Sequence, residues 1–431
     1  MLQIALVVIS LVLLVVLCFR GVPIFFAALL SGIFVLLVAG MNVVDHMTTT
    51  YVQGMGNYFA SNFFLFVFGS IFGKITEISG AAESIAETIV TKLGEKFVVP
   101  AILIAGILLT YGGVSVFVCM FALYPLMLAM FKKADISRKL IPVFYFAGAG
   151  TVTGWAPGSP QLQNTLPAQT LGVPLTAASL PGWIGVIFEL VLVFAYAFWL
   201  LKHFRNKGEH FVVMESDEAV MARQAGRTKP NFIVSLLPLI ILLVVLNIFK
   251  LPVPVGMFVG CVAALVCYFK QIDWKQVFGD LSEGTKNGVI SLFNVCAVVG
   301  FGALVQATPA FQSIVEKVTA ANGNPMIMSV LGIAVLAGVS GSGSGGLGLA
   351  LPIIQVHFIP MGVNIEALSR ISALACLTLD SLPHNGLVVS VLNVTGNSHK
   401  DSYGPICIFT VIIPIITTVF MLALYSIMGM M

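Results

Sequence analysis

The sequence predicts an all-α polytopic membrane protein built from two repeats, and three observations carry that prediction. The composition comes first: of 431 residues, 58% are hydrophobic and 9% charged, with a mean hydropathy of +1.04. Soluble domains average about half apolar and about a quarter charged. The 21 Lys and Arg and 18 Asp and Glu are too few to cover a water-soluble body of this length. That excludes cytosolic enzymes, nucleic-acid binders, disordered chains and disulfide scaffolds. Second, apolar runs of spanning length recur along the whole chain. Third, the second half repeats motifs of the first in the same order.

A spanning helix needs about 20 apolar residues. Runs of that kind occupy residues 2–19, 22–40 and 58–77, followed by an apolar stretch, 97–131, that Tyr111-Gly112-Gly113 breaks near its middle. An interrupted span, 137–165, and a span at 178–201 complete the first half, 1–201. Residues 202–230 form the one substantial hydrophilic segment. The second half, 231–431, runs through 231–249, 253–270, 288–306, a broken stretch 325–357 with its glycines at Gly338 to Gly346, an interrupted span 365–395 and a last span 403–429. Val98 to Tyr111 rises only about 21 Å as a helix, against a hydrocarbon core of about 30 Å, so each broken stretch reads as a re-entrant hairpin. Residues 79–93 and 308–321 read as amphipathic helices lying at the membrane surface.

Met1 to Cys18 lacks a basic leader and a small-residue cleavage site and reads as a retained first span. With the N-terminus outside, 18 of the 21 basic residues fall on inside loops, leaving only Lys250, Lys317 and Arg370 outside. That asymmetry puts both termini outside and the 202–230 linker in the cytoplasm. The seven cysteines lie scattered in apolar segments and read as small buried hydrophobes, so neither a disulfide nor a metal site is expected.

The duplication is visible residue by residue. Phe68-Gly69-Ser70-Ile71-Phe72-Gly73 answers Val299-Gly300-Phe301-Gly302, and Gly112 answers Gly341 at an offset of 229. Trp155-Ala156-Pro157-Gly158 answers Ser381-Leu382-Pro383-His384. Each half holds five spans and one hairpin; five is odd, so the second half is expected to insert upside down. Inverted repeats with broken helices are the architecture of secondary transporters, with substrate bound near the midplane.

Four places put irregular backbone at membrane depth: the two hairpin tips and the two interrupted spans. Unpaired backbone in hydrocarbon is costly and survives where it lines a cavity or site. The first tip offers Gly112, Gly113 and Ser115, and the second Ser340, Gly341, Ser342, Gly343 and Ser344. The first break offers Thr153, Ser159, Gln161 and Asn164, and the second Ser381 and Asn385. A helix that begins at such a tip presents free N–H groups and the positive end of its dipole to a carboxylate. No Arg or Lys is expected near any of the four places. Asp380 is an acid at membrane depth, and His384, four residues on, is its expected partner in proton coupling. Glu189, inside the span 178–201, is a further proton-relay candidate. An intramembrane serine protease is a rival class, because Gly338-Val339-Ser340-Gly341 matches the GxSG of rhomboids and His384 would supply a base.

At these residues the chain resembles the gluconate permease family of the ion-transporter superfamily, over nearly its full length. The resemblance rests on Phe72-Gly73 with Ser79-Gly80-Ala81-Ala82, on the Gly/Ser hairpin ending Leu349-Ala350-Leu351-Pro352, and on Leu379 to Gly386. It implies proton-coupled import of gluconate, related sugar acids, D-serine or 3-hydroxybutyrate. It also implies an elevator with scaffold parts (1–96, 231–324) and transport parts (97–201, 325–431), usually in a homodimer. Two segments depart from the sugar-acid branch: Ser342-Gly343-Ser344-Gly345-Gly346-Leu347 stands where a Gly-Ser-Ala-Thr-Val type tip is expected, and Leu382-Pro383-His384-Asn385-Gly386 where a His-Val-Asn-Asp type segment is expected. Both look closer to the 3-hydroxybutyrate branch. By resemblance Ser340, Ser342, Ser344, Asp380, Ser381, His384 and Asn385 become candidate substrate or proton residues. The expected function is import of a small organic hydroxycarboxylate by proton symport across the plasma (inner) membrane, without cofactor or metal. Na⁺-coupled carboxylate symport is the alternative.

Overall fold

The computed structural model describes residues 2–20, 22–111, 116–159, 161–214, 228–249, 251–311, 313 and 323–431. Among the described residues all regular structure is helical. The helices are α1 (Leu2–Phe19), α2 (Ile24–Val38), α3 (Val43–Ile78), α4 (Ala81–Leu93), α5 (Val98–Tyr111), α6 (Val116–Lys133), α7 (Leu140–Ala149), α8 (Leu162–Leu171) and α9 (Ser179–Asn206). After the linker come α10 (Phe232–Asn247), α11 (Val253–Cys267), α12 (Val277–Ala307), α13 (Pro325–Ser340), α14 (Gly343–His357), α15 (Ile365–Ala375), α16 (Gly386–Thr395) and α17 (His399–Ile427). Helices α3, α9, α12 and α17 are long and apolar enough to cross a membrane.

Both interrupted spans are interrupted where Gly, Pro and short polar residues cluster: α7 stops at Ala149 and α8 starts at Leu162, and α15 stops at Ala375 and α16 starts at Gly386. The broken stretch 325–357 is an antiparallel pair, α13 against α14. Its limbs of 16 and 15 residues rise about 24 and 22 Å. Among the described residues the order of helices runs twice along the chain except at α4, whose matching segment lies outside them. Val253, Ala307 and Ser340, which begin or end their helices, each stand 229 residues after Ile24, Ile78 and Tyr111 in the matching positions. The third helix differs from expectation: it starts at Val43 rather than near 58, through a π-helical turn at Met47–Tyr51. Asn42 caps that start by accepting from Asp45 N–H.

The chain forms two compact units. One unit comprises 62–149 and 194–292. In it α5 crosses α7 where Gly106 meets the backbone of Gly148 and Ala149, an approach that only small residues allow. The Tyr145 hydroxyl donates to the Val116 carbonyl and ties α7 to the first turn of α6. The loop after α6 grips the start of the linker: Lys139 pairs with Glu209 at 2.9 Å, and Asp135 pairs with His210 at 2.7 Å. Asp135 adopts a left-handed φ of +49°. Phe211 N–H donates to its carboxylate at 3.0 Å, and this bond, with His210, holds the carboxyl below the usual carboxylate range.

The other unit comprises 1–61, 150–193 and 293–431. Helix α1 packs on α2 and on the start of α17, and α13 packs on both α14 and α15. Helix α8 lies against α14 and α15, and α15 against α17. The largest fully buried side chains include Trp155, Arg370 and Tyr425, so the centre of this unit is polar as well as large.

Candidate functional site

The hairpin tip is built by capping. Gly341 takes a left-handed φ of +63° at the end of α13, and Ser342 N–H reaches back to the Ala337 carbonyl at 3.2 Å, a closure that favours glycine. Ser342 then caps α14, its hydroxyl accepting from Gly345 N–H at 3.1 Å and lying 3.4 Å from the Ser344 hydroxyl. The Ser340 hydroxyl donates to the Ala337 or Ser342 carbonyl, at 3.2 and 3.1 Å.

The second break clasps this tip. His384 Nε2–H donates to the Gly338 carbonyl at 3.1 Å, and the Asn385 amide donates to the Gly341 carbonyl at 3.0 Å. Asn385 also caps α16, accepting from Leu387 and Val388 N–H at 2.7 and 3.0 Å. The Asp380 carboxylate accepts from the Ser381 hydroxyl at 2.8 Å. A Cβ on Gly343 would stand 2.9 Å from Asp380 Oδ2. Tyr403 and His399 on α17 hold the break from behind, donating to the Ser381 and Pro383 carbonyls at 3.1 and 2.7 Å.

Asp380 and His384 are both buried, but no hydrogen bond joins them. A spacing of four brings side chains together on a helix, and residues 376–385 are not helical. His384 Nδ1 is buried without a partner. Ser340 and His384 each bond to backbone carbonyls, not to one another, so the nucleophile–base contact that a protease needs is not made.

The first break is organised by a residue that the charge pattern assigns to an outer loop. Arg370 sits on α15, 1% exposed. Its guanidinium donates to the carbonyls of Trp155 (2.7 Å), Leu175 (2.6 Å) and Ala177 (2.9 Å) and to the Asn164 side chain. The expectation that no basic residue lies near the four places is therefore overturned. The clue was that 370 falls inside the predicted span 365–395. Asn164 is engaged further, donating to the Ser159 carbonyl at 2.7 Å, and the Ser159 hydroxyl donates to the Thr153 carbonyl. Gln161 stands half-buried as the residue before α8. Glu189 accepts from Trp155 Nε1–H at 2.6 Å through one oxygen, while Oε1 is buried without a partner.

The structure thus gathers three of the four predicted places in one unit: the first break, the tip at 340–344 and the second break. Gly112, Gly113 and Ser115 of the first tip lie outside the described residues, as does most of the segment 308–321. Where the first break rejoins α9, Ala178 is left-handed (φ +49°), held by Glu366, which accepts from its N–H at 3.1 Å, and by Arg370 on the preceding carbonyl. The left-handed conformation costs an L-residue about 1–2 kcal/mol, and glycine escapes that cost. Ala178→Gly is therefore expected to leave the melting temperature within a degree or two of wild type. Ala177→Gly, at an ordinary φ next door, should lower it by several degrees in the same thermal-unfolding assay.

The GntP family permease profile matches residues 1–427. An uncharacterized transporter of Bacillus subtilis (strain 168), YxjC, is 29% identical over 99% of this chain and 100% of its own length. The high-affinity gluconate transporter of Escherichia coli (strain K12) is 29% identical over 31% of this chain and 30% of its own length, and the gluconate permease of Bacillus licheniformis 29% over 27% and 26%. With the profile match spanning almost the whole sequence and a helical, strongly apolar chain to carry it, this protein is an integral membrane transporter that belongs to the GntP family of permeases.

Proposed function

We propose that the protein imports a small organic hydroxycarboxylate, gluconate-like or 3-hydroxybutyrate-like, by proton symport. One observation carries the reading. The hairpin tip and the second break clasp each other so that Asp380, a buried carboxylate, accepts from the Ser381 hydroxyl and stands against Gly343 at the start of α14. A site that receives one carboxylate in this way has the chemistry to receive another. The gluconate names of two relatives point the same way. On this reading the two halves are inverted repeats and the tips carry the substrate in an elevator motion of a homodimer. The termini lie outside and the linker lies in the cytoplasm.

The test is uptake into proteoliposomes. A panel of D-gluconate, D-3-hydroxybutyrate and D-serine is offered with and without an inward pH gradient. Accumulation of a hydroxycarboxylate driven by the gradient is the expected result. Accumulation driven by sodium at equal pH identifies Na⁺ as the coupling ion instead. Accumulation of D-serine alone, a zwitterion of no net charge, overturns the reading of an anionic hydroxy acid as substrate.

A further inference from the structure

We infer that Glu189 is a proton-binding site of the transport cycle, covered by Trp155 and set apart from the tip that receives the substrate. This rests on the proton-symport reading and names the side chain that carries the proton. Glu189 lies on α9 and is fully enclosed. One carboxyl oxygen accepts from Trp155 Nε1–H at 2.6 Å, and Oε1 is buried without a partner. Gly185, one turn earlier, leaves room for the indole: a Cβ there would stand 2.7 Å from Trp155 Cη2.

The surrounding groups decide its charge. The first break, 150–178, holds no titratable side chain. Helix α17 meets α9 where Phe188 stacks on Phe420 and Gly185 faces Met421. The titratable residue of α17 beside that contact is Tyr425, a phenol that is uncharged at neutral pH. Helix α15 brings Glu366, which accepts from Ala178 N–H, and Arg370. A guanidinium has five N–H donors, and those of Arg370 are committed. Nε donates to the Ala177 carbonyl, Nη1 to the Trp155 carbonyl and Asn164, and Nη2 to the Leu175 and Ala177 carbonyls. No donor of this cation is left for Glu189. An enclosed carboxyl without a cation takes up a proton rather than keep its charge. Trp155 thus parts the two groups: its carbonyl serves the arginine and its indole covers the acid.

Packing joins this cover to the tip. A Cβ on Gly154 would stand 2.8 Å from Leu377 Cδ1 in the second break, and one on Gly338 would stand 3.0 Å from Leu379 Cβ. The first break beside the indole, the second break and the end of α13 therefore form one contiguous row within a single unit. Such a row transmits movement when its elements have two arrangements. As the tip and breaks move with the substrate, Trp155 is drawn off the carboxyl and water reaches it. Glu189 takes up one proton on the outer side and gives it up on the inner side, and no bond of the substrate changes.

The experiment has two arms, both on the full-length protein. Subtracting the infrared spectrum of purified Glu189→Gln from that of wild type at neutral pH should leave the carbonyl stretch of a protonated carboxylic acid. Subtracting Trp155→Phe, which keeps Glu189 but removes its donor, should show the same stretch shifted. In proteoliposomes offered D-gluconate and D-3-hydroxybutyrate, Glu189→Gln should lose accumulation from a pH gradient of whichever acid wild type accumulates. It should still exchange labelled for unlabelled substrate, because its amide carbonyl accepts from Trp155 as the acid does. A carboxyl that serves only as a structural acceptor would leave accumulation intact. Absence of the carbonyl stretch from both subtractions overturns the inference alone. So does Glu189→Gln that accumulates substrate as wild type does, or a folded, monodisperse Glu189→Gln that no longer exchanges it. Wild-type protein that accumulates neither acid from a pH gradient overturns the symport reading and this inference with it.

Discussion

Arg370→Ala is expected to leave no monodisperse protein after detergent extraction. The guanidinium satisfies three backbone carbonyls and the Asn164 side chain, all enclosed with it. Each buried acceptor left without a donor costs about 1–3 kcal/mol. Leu175 keeps the Gly158 N–H at 2.9 Å, so three acceptors are left, about 3–9 kcal/mol against the total stability of an ordinary domain, about 5–15 kcal/mol. Arg370→Lys should recover only a fraction of the loss. An ammonium is a compact point charge with three donors and lacks the planar fork that reaches residues 155, 175 and 177 together. Fluorescence-detected size exclusion followed by thermal unfolding reads both variants. A sharp Arg370→Ala peak with the wild-type melting temperature would refute the assignment.

The second large effect is at Gly346 on α14. A methyl group there would overlap the Ala337 backbone nitrogen and Cα on α13. Backbone cannot rotate away as a side chain can, so the two limbs must separate close to the tip. Overpacking costs about 1–3 kcal/mol, and Gly346→Ala should fall at the upper end of that range. It should also weaken substrate binding more than tenfold, because the limbs are pushed apart within two helical turns of Gly341 and Gly343. Gly348→Ala is the control: nothing stands within 4 Å of its added methyl, and it should behave as wild type. Equal behaviour of the two variants in calorimetry and unfolding would show that the limbs do not need this contact.

These residues also mark how far the sequence could be read. Helix positions and both breaks were legible because the signals are local: apolar length makes the helix, and Gly, Pro and short polar residues interrupt it. The tip was legible for the same reason, since Gly341 and Ser342 are the residue types that end one helix and cap the next. Arg370 was misread because a count of charges by loops treats any cation near the end of a span as solvated. Its partners are carbonyls, and a carbonyl leaves no mark on the sequence. The expected Asp380–His384 pair failed in contact for a related reason: a helical spacing was applied to a segment whose own proline and glycine neighbours prevent a helix.

The acceptors of Arg370 lie at residues 155–177, ahead of it in the chain. A lone arginine at mid-bilayer costs about 2.5–3.5 kcal/mol to insert, on the scale measured for translocating helices. Helix α15 has only 11 residues and carries Glu366 besides. Residues 155–177 are synthesised before α15, so the acceptors exist before the cation that needs them. The later half of the chain thus completes its buried charge with groups that the earlier half supplies.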